Sequence, residues 1–410
     1  MRPTRLKNRS WHYGWLIVLA GFLTLFACLG LARFAYGVLL PSMRAGLGLA
    51  YDQMGFVSTG NFAGYLAAVA LAPQLVRRLR PRATIVIGLS AIALGMLAIS
   101  RCDRFLPLLV LYTVVGMGSG FANIPMMILV SHWFRKQRRG RAAGLMIMGN
   151  GAAILFAGFL IPELNRQLGD AGWRWGWAIP GAISLVIAAV VAVLLRNDPQ
   201  ELGLTPLGEA EPLPEEAFVG ERRGGGRILL LLGAVYLVFG FTYMIYGTFI
   251  VTTMVDELGL SQERAGMLWS LVGFFSIFSG VLFGALSDRI GRREGLMVVF
   301  AVQTGAYLLA GAGSGVGVLV CSIVLYGLSA FAIPTIMAAA VGDYLGIGRA
   351  PAAFALVTFF FAFGQTLGPA TAGILAEAMG SFSVSYLAAA AMTGLAVGLS
   401  AFLPPVRQGS

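Results

Sequence analysis

Twelve stretches of about twenty or more predominantly apolar residues divide the chain, at approximate bounds 14–40, 53–76, 83–100, 105–131, 142–162, 175–195, 228–254, 264–287, 295–313, 317–340, 352–376 and 384–403. A helix rising 1.5 Å per residue crosses a hydrocarbon core of about 30 Å in about twenty residues. Each stretch is therefore predicted to span a bilayer, and the links are too short to fold separately. Only 11% of the 410 residues are charged, where soluble domains carry about a quarter. A chain so poor in charge cannot coat a soluble surface, which excludes a secreted or cytosolic enzyme and a disordered protein. The expected fold is an all-α membrane protein of twelve transmembrane helices.

The net charge of +11 could suggest nucleic acid, but the basic residues lie between apolar stretches and form no soluble face. Their placement sets topology instead. With the amino terminus inside, the inner segments hold 22 Lys and Arg against six on the outer links, and Arg33 alone falls within a span. Both termini are thus expected on the cytoplasmic side of the membrane. The first stretch follows Arg2, Arg5, Lys7 and Arg9 but exceeds a signal-peptide core in length, so it reads as a retained helix. Cys28, Cys102 and Cys321 form no CxxC pair, and His12 and His132 are the only histidines. Neither a metal site nor a cofactor is expected.

Residues 196–227 form the longest polar stretch, with Pro199, Pro206, Pro212, Pro214 and Gly224 to Gly226. This composition suits a flexible tether. It separates a first six-helix bundle (1–195) from a second (228–410). The halves repeat: Tyr36-Gly37 against Tyr246-Gly247, Pro125 against Pro334, Arg82 against Arg293, and Arg141 against Arg349. Four matches in order at nearly one offset indicate parallel repeats, an architecture of secondary transporters.

Residues 284–293 read GALSDRIGRR, between the eighth and ninth spans. The segment resembles the loop signature of the major facilitator superfamily, and with the twelve spans and central link the resemblance covers essentially the whole chain. It implies two six-helix bundles that rock about a central site, and a cytoplasmic ionic latch carried over to Asp288, Arg289, Arg292 and Arg293. The first-half copy, PQLVRRLRPR at 73–82, departs from the pattern, with Arg77 where the acid belongs. WHYGW (11–15) and WFRKQRRGRAAGL (133–145) resemble bacterial relatives of monocarboxylate and oxalate/formate carriers. GLARFAYGVLLP (30–41) resembles another bacterial branch of the superfamily. Those carboxylate carriers use a cation in the eighth helix; here 265–287 and 352–376 hold none.

Arg33 is the remaining cation. About nineteen residues beyond Gly14, or roughly 28 Å of helix, it is expected in the outer part of the membrane. A charge within a span normally faces a bundle interior or water-filled cavity, and a guanidinium can grip a carboxylate with two parallel bonds. Snorkelling to the interface is the alternative. Tyr36 shares its face, and Tyr243 holds the repeat-related position, with Tyr246 three residues on and Tyr236 a heptad before. This phenol stripe serves ligand binding or interhelical packing. Tyr112, Gly116, Ser119 and Asn123 share a face of the fourth span, and Tyr326 and Ser329 one of the tenth. Asn61, Asn150, Trp269 and Gln365 complete the candidate cavity residues.

No span centre contains Asp or Glu; Asp52, Glu163, Asp256, Glu257 and Glu377 fall at outer ends. A proton, if one is coupled, travels on a weak-acid substrate or uses Glu163 or Asp256 at the rim. The expected function is secondary active transport of a small organic anion such as a monocarboxylate, by a monomer in the lipid bilayer. Efflux of amphipathic compounds is the alternative, and a transporter-like receptor a further one. No enzyme motif is present.

Overall fold

The computed structural model describes residues 12–208, 225–313, 315–346 and 350–405, with the side chains of 136, 137 and 351 excepted. The basic residues of the amino-terminal tail, Arg349 and Arg407 lie outside them. Among the described residues ten helical spans are long and apolar enough to cross a membrane. In lipid every backbone polar group must be satisfied within its own segment, so such runs become helix and tolerate internal prolines. Pro41, Pro125, Pro162, Pro180 and Pro369 all sit inside helices.

Two spans turn back on themselves. Tyr51–Ile99 breaks at Arg80 (φ 65°, ψ 162°). Its two arms pack on the helix Phe105–Trp133 in opposite senses, Gly60 and Gly64 against Leu109 and Thr113, Gly95 and Gly88 against Val115 and Gly118. Arg138–Leu194 turns at the short 3-10 segment Gly169–Ala171, which brings Gly172 against Asn165 and Gly176 near Ile161. The helices are labelled α1 (Gly14–Leu47), α2 (51–79), α3 (81–99), α4 (Phe105–Trp133), α5 (Lys136–Leu168), α6 (Gly172–Leu194), α7 (Gly225–Glu257), α8 (Gln262–Ile290), α9 (Arg292–Gly311), α10 (Val316–Leu345), α11 (Ala350–Met379) and α12 (Ser383–Ala401).

The turns at Arg80, 134–135, 195–208 and Gly291 lie at one end of the bundle, the near end. Those at 48–50, 100–104, 169–171, 258–261 and 380–382 lie at the far end. Helices of the first half meet those of the second through glycines, and do so toward the far end. A methyl group on Gly55 would lie 2.4 Å from Pro369 O, one on Gly158 2.7 Å from Gly266 O, and one on Gly151 2.8 Å from Gly273 O. Small residues let backbones approach this closely where no hydrophobic force drives association. By contrast, Gly140, Gly144 and Gly342, toward the near end, have nothing within 4 Å of such a methyl.

Two differences from the sequence reading emerge. First, α1 runs to Leu47 rather than 40, through Pro41, which makes Arg33 the twentieth of its 34 residues. Second, residues 196–208 are docked, not a free tether. Leu207 donates to Trp133 O (2.9 Å) and accepts from the Arg135 N–H (3.1 Å). Trp133 Nε1 donates to Arg196 O (3.0 Å), and Asn197 Oδ1 accepts from the Arg82 N–H (2.9 Å). Of the rest of the predicted tether, 225–227 already belong to α7 and 209–224 lie outside the described residues.

Candidate functional site

Arg33 is the penultimate residue of a nine-residue π-helical run, Phe26–Phe34, set within α1. Wide π turns are uncommon and cluster at functional sites. The run is pressed against α5: a methyl on Gly30 would lie 2.1 Å from Ala153 Cβ. The guanidinium is consequently held inside the bundle, with Arg33 only 6% exposed. Its carbon lies over the rings of Phe62 (4.9 Å) and Tyr65 (4.8 Å) of α2. Nη1 donates to the Tyr243 hydroxyl of α7 at 3.4 Å, long for a hydrogen bond. Nε and Nη2 are buried without partners.

A guanidinium carries five N–H donors and no acceptor. Placing a charge at a bilayer centre costs about 2.5–3.5 kcal/mol on insertion scales. Two ring faces offset part of that, at about 0.5–2 kcal/mol each. The set is short of an acceptor and of a negative charge, and a carboxylate, sulfonate or similar oxyanion supplies both.

The predicted site residues divide into those that surround this cation and those that brace it. Tyr243 touches it and donates its own proton to Gln365 Oε1 at 3.1 Å, leaving Gln365 Nε2 buried and unpartnered. Asn123 donates to the Tyr65 hydroxyl (2.9 Å), fixing one of the rings under the guanidinium. The remaining residues do not face it. Tyr112 donates to the backbone oxygen of Arg33 (3.4 Å) and Asn61 to that of Tyr112 (3.1 Å). Tyr36 donates to Met54 O (2.8 Å), its ring 4.9 Å from that of Tyr112. Tyr246 stacks on Tyr326 (4.1 Å) and bonds Ser322, while Tyr326 donates to Tyr243 O (2.7 Å). Trp269 is fully buried, its Nε1 without a partner and its ring 6.5 Å from Phe34. Of the phenol stripe, Tyr243 reaches the guanidinium, while Tyr36 and Tyr246 bond and stack within the packed helices.

Sequence reasoning missed Phe62 and Tyr65. Their spacing of three places them on one face of α2, but aromatic residues in an apolar helix carry no mark that separates a cation platform from ordinary core. It also missed the far-end closure. Arg44 of α1 pairs with Asp256 of α7 at 2.9 Å, Tyr51 donates to the same carboxylate (3.3 Å), and the Tyr51 N–H donates to Glu377 of α11 (2.8 Å). A concavity of about 870 Å³ opens at that end, lined by Ser42, Asn165, Arg166, Trp173 and Gln262 among others, and Arg33 is not part of it.

Residues 25–401 match the family model described as an uncharacterised MFS-type transporter, YbfB. The chain belongs to this family of major facilitator superfamily (MFS) transporters. It is a multi-pass membrane transporter, and neither the family nor the relatives are enzymes. It is 25% identical to monocarboxylate transporter 4 of Rattus norvegicus over 95% of this chain and 82% of that one. It is 22% identical to the probable sulfoacetate transporter SauU of Cupriavidus necator, over 91% and 90%. A solved D-xylose-proton symporter shares its fold, with a TM-score of 0.76 at 16% identity over 97% of this chain and 99% of that one.

In this MFS transporter the ion pairs of the loop signature found among the described residues lie in the second half. Arg292 bonds both Asp288 at the end of α8 and Asp343 of α10 (2.6 Å). Arg293 pairs with Glu294, its chain neighbour (3.0 Å), and Arg289 is exposed. Among the described residues these pairs tie α8, α9 and α10 together, and the ion pair that joins the halves is the far-end one.

Proposed function

We propose that this carrier moves a small organic monoanion, such as a monocarboxylate, across the bacterial cytoplasmic membrane by alternating access. The observation that carries this reading is Arg33: a buried cation between α1, α2 and α7 with two unpartnered nitrogens and only a phenol as hydrogen-bond acceptor. Among the described residues no Asp or Glu shares its surroundings, so an anion supplies the missing charge. The relatives named for transport of monocarboxylates and of sulfoacetate agree in substrate charge.

The two hairpin spans bring ten apolar spans to twelve crossings, arranged as bundles 1–195 and 228–410 joined by 196–227. The excess of basic residues at the near end favours both termini in the cytoplasm. With no carboxylate beside the site, a coupled proton travels on the weak acid itself.

Labelled-acid uptake into proteoliposomes tests the reading. Arg33→Gln is expected to weaken binding by about 100-fold or more, the scale for removing one partner of a buried charge pair, with Arg33→Lys intermediate. Unchanged affinity in Arg33→Gln would end the anion assignment while leaving a carrier.

A further inference from the structure

We propose that Tyr243 is a stand-in for the transported anion: in the empty carrier its phenol oxygen solvates the Arg33 guanidinium, which lets the unloaded protein change orientation. The inference rests on the reading of Arg33 as the anion-binding cation and asks what that cation does when no anion is present.

Donor and acceptor roles fix the geometry. A phenol has one proton and oxygen lone pairs. Tyr243 gives its proton to Gln365 Oε1 (3.1 Å), which turns its lone pairs to Arg33 Nη1 (3.4 Å). Gln365 is thus a positioning residue, setting which way the phenol presents itself. The Tyr243 ring is held in turn by Phe239 (4.8 Å) and Phe361 (5.6 Å). A neutral acceptor at that distance is a weak partner for a cation, so a charged oxyanion displaces it readily.

Position explains why the contact survives rocking. Arg33 and Tyr243 each lie one turn before the glycines at which α1 and α7 come together, where a methyl on Gly37 would lie 2.5 Å from Gly247 O. Near a close approach of two bundles, such as this one, rotation changes separation little. A bond placed there persists in both orientations, and the guanidinium is not stripped of its acceptor during the return of the empty carrier. A loaded carrier has no need of it, because the anion already occupies Arg33.

The two steps are separable by experiment. Net efflux requires the empty carrier to return, whereas counterflow exchange keeps the carrier loaded on both strokes. Wild type, Tyr243→Phe and Gln365→Leu are compared in proteoliposomes with labelled acetate, lactate and benzoate as probes. Thermal shift of the purified proteins checks folding and binding. Tyr243→Phe is expected to slow net efflux about tenfold, to change exchange less than about threefold, and to tighten probe binding, since one hydrogen bond to a charge is removed from the empty state alone. Gln365→Leu is expected to reproduce the same split in smaller degree. Net efflux and exchange falling together with weakened binding would make Tyr243 a ligand contact. Equal rates in both assays would make it packing. Either result overturns the stand-in role while the anion reading stands. Wild type that binds none of the three probes overturns the anion reading, and this inference with it.

Discussion

Gly37 and Gly247 stand at equivalent places in the two halves, yet a methyl group would meet different surroundings at each. At Gly37 it would lie 2.5 Å from the backbone oxygen of Gly247; at Gly247 the nearest atom is the Tyr326 hydroxyl, at 3.3 Å. The same contrast runs through the neighbouring residues, because the position that is Arg33 in α1 is Tyr243 in α7, and the two side chains bond each other. Repetition supplied two superposable frames, and divergence put the cation on one side of the contact and its neutral partner on the other. A symmetric pair of arginines at this spot would repel, and a pair of tyrosines would leave nothing to hold an anion.

The sharpest way to break that contrast is alanine at each glycine. Gly37→Ala forces the α1 backbone away from a carbonyl that cannot yield, at about 1–3 kcal/mol or more for overpacking, and moves Arg33 with it. It is expected to lower the melting temperature in detergent and to abolish transport. Gly247→Ala asks a tyrosine hydroxyl to shift by tenths of an ångström and is expected to retain most activity. Equal damage from both would mean that the helices do not cross as described.

How much of this was legible beforehand follows from the same residues. The apolar spans, the repeat and Arg33 itself could be read directly, because a charge inside an apolar run is conspicuous at any level of analysis. The Tyr36-Gly37 and Tyr246-Gly247 match located the α1–α7 contact without revealing it as a contact. What stayed hidden were features whose meaning depends on partners far along the chain. Phe62 and Tyr65 become a platform only when α2 faces α1, and Asp256 becomes a clasp only when Arg44 arrives from another helix. The reach of α1 was underestimated, since the sequence bounds stopped it at residue 40, whereas lipid-embedded helices tolerate a proline such as Pro41 within. Residues 196–208 have the composition of a tether, but backbone hydrogen bonds to 133–135, invisible to composition, dock them.

A second contrast concerns the near-end turns. Arg80 and Gly291 occupy matching places in PQLVRRLRPR and GALSDRIGRR. Both adopt positive φ, 65° and 105°, with ψ near 160° in each, a region suited essentially to glycine alone. Gly291→Ala is expected to cost about 1–3 kcal/mol from the backbone conformation. A methyl there would also displace Glu294 Oε2, 2.6 Å away. Arg80→Gly relieves the same strain in the first half and, after the entropy cost of a glycine, is expected to stabilise by about 1 kcal/mol. Thermal unfolding of both variants in one detergent checks the pair. Destabilisation by Arg80→Gly would show that the arginine side chain does more at this turn than its exposed position suggests.

The smallest expected effect sets the far end against the near end. Arg44–Asp256 joins the halves, while the near-end pairs around Arg292 stay within one half. The Arg44 and Asp256 side chains are partly exposed, at 36% and 19%, so solvent screening leaves the pair worth about 0–1 kcal/mol. Asp256→Asn should therefore barely alter unfolding. Even so, a change below 1 kcal/mol in a two-state equilibrium moves the populations by up to about fivefold, which is large for a carrier poised between orientations. Asp256→Asn is expected to increase labelling of a cysteine placed at Ser42, on the far-end concavity, while Asp288→Asn leaves that labelling near wild type. Equal labelling in the two variants would mean that glycine packing along α2–α11 and α5–α8 closes the far end without help from charge.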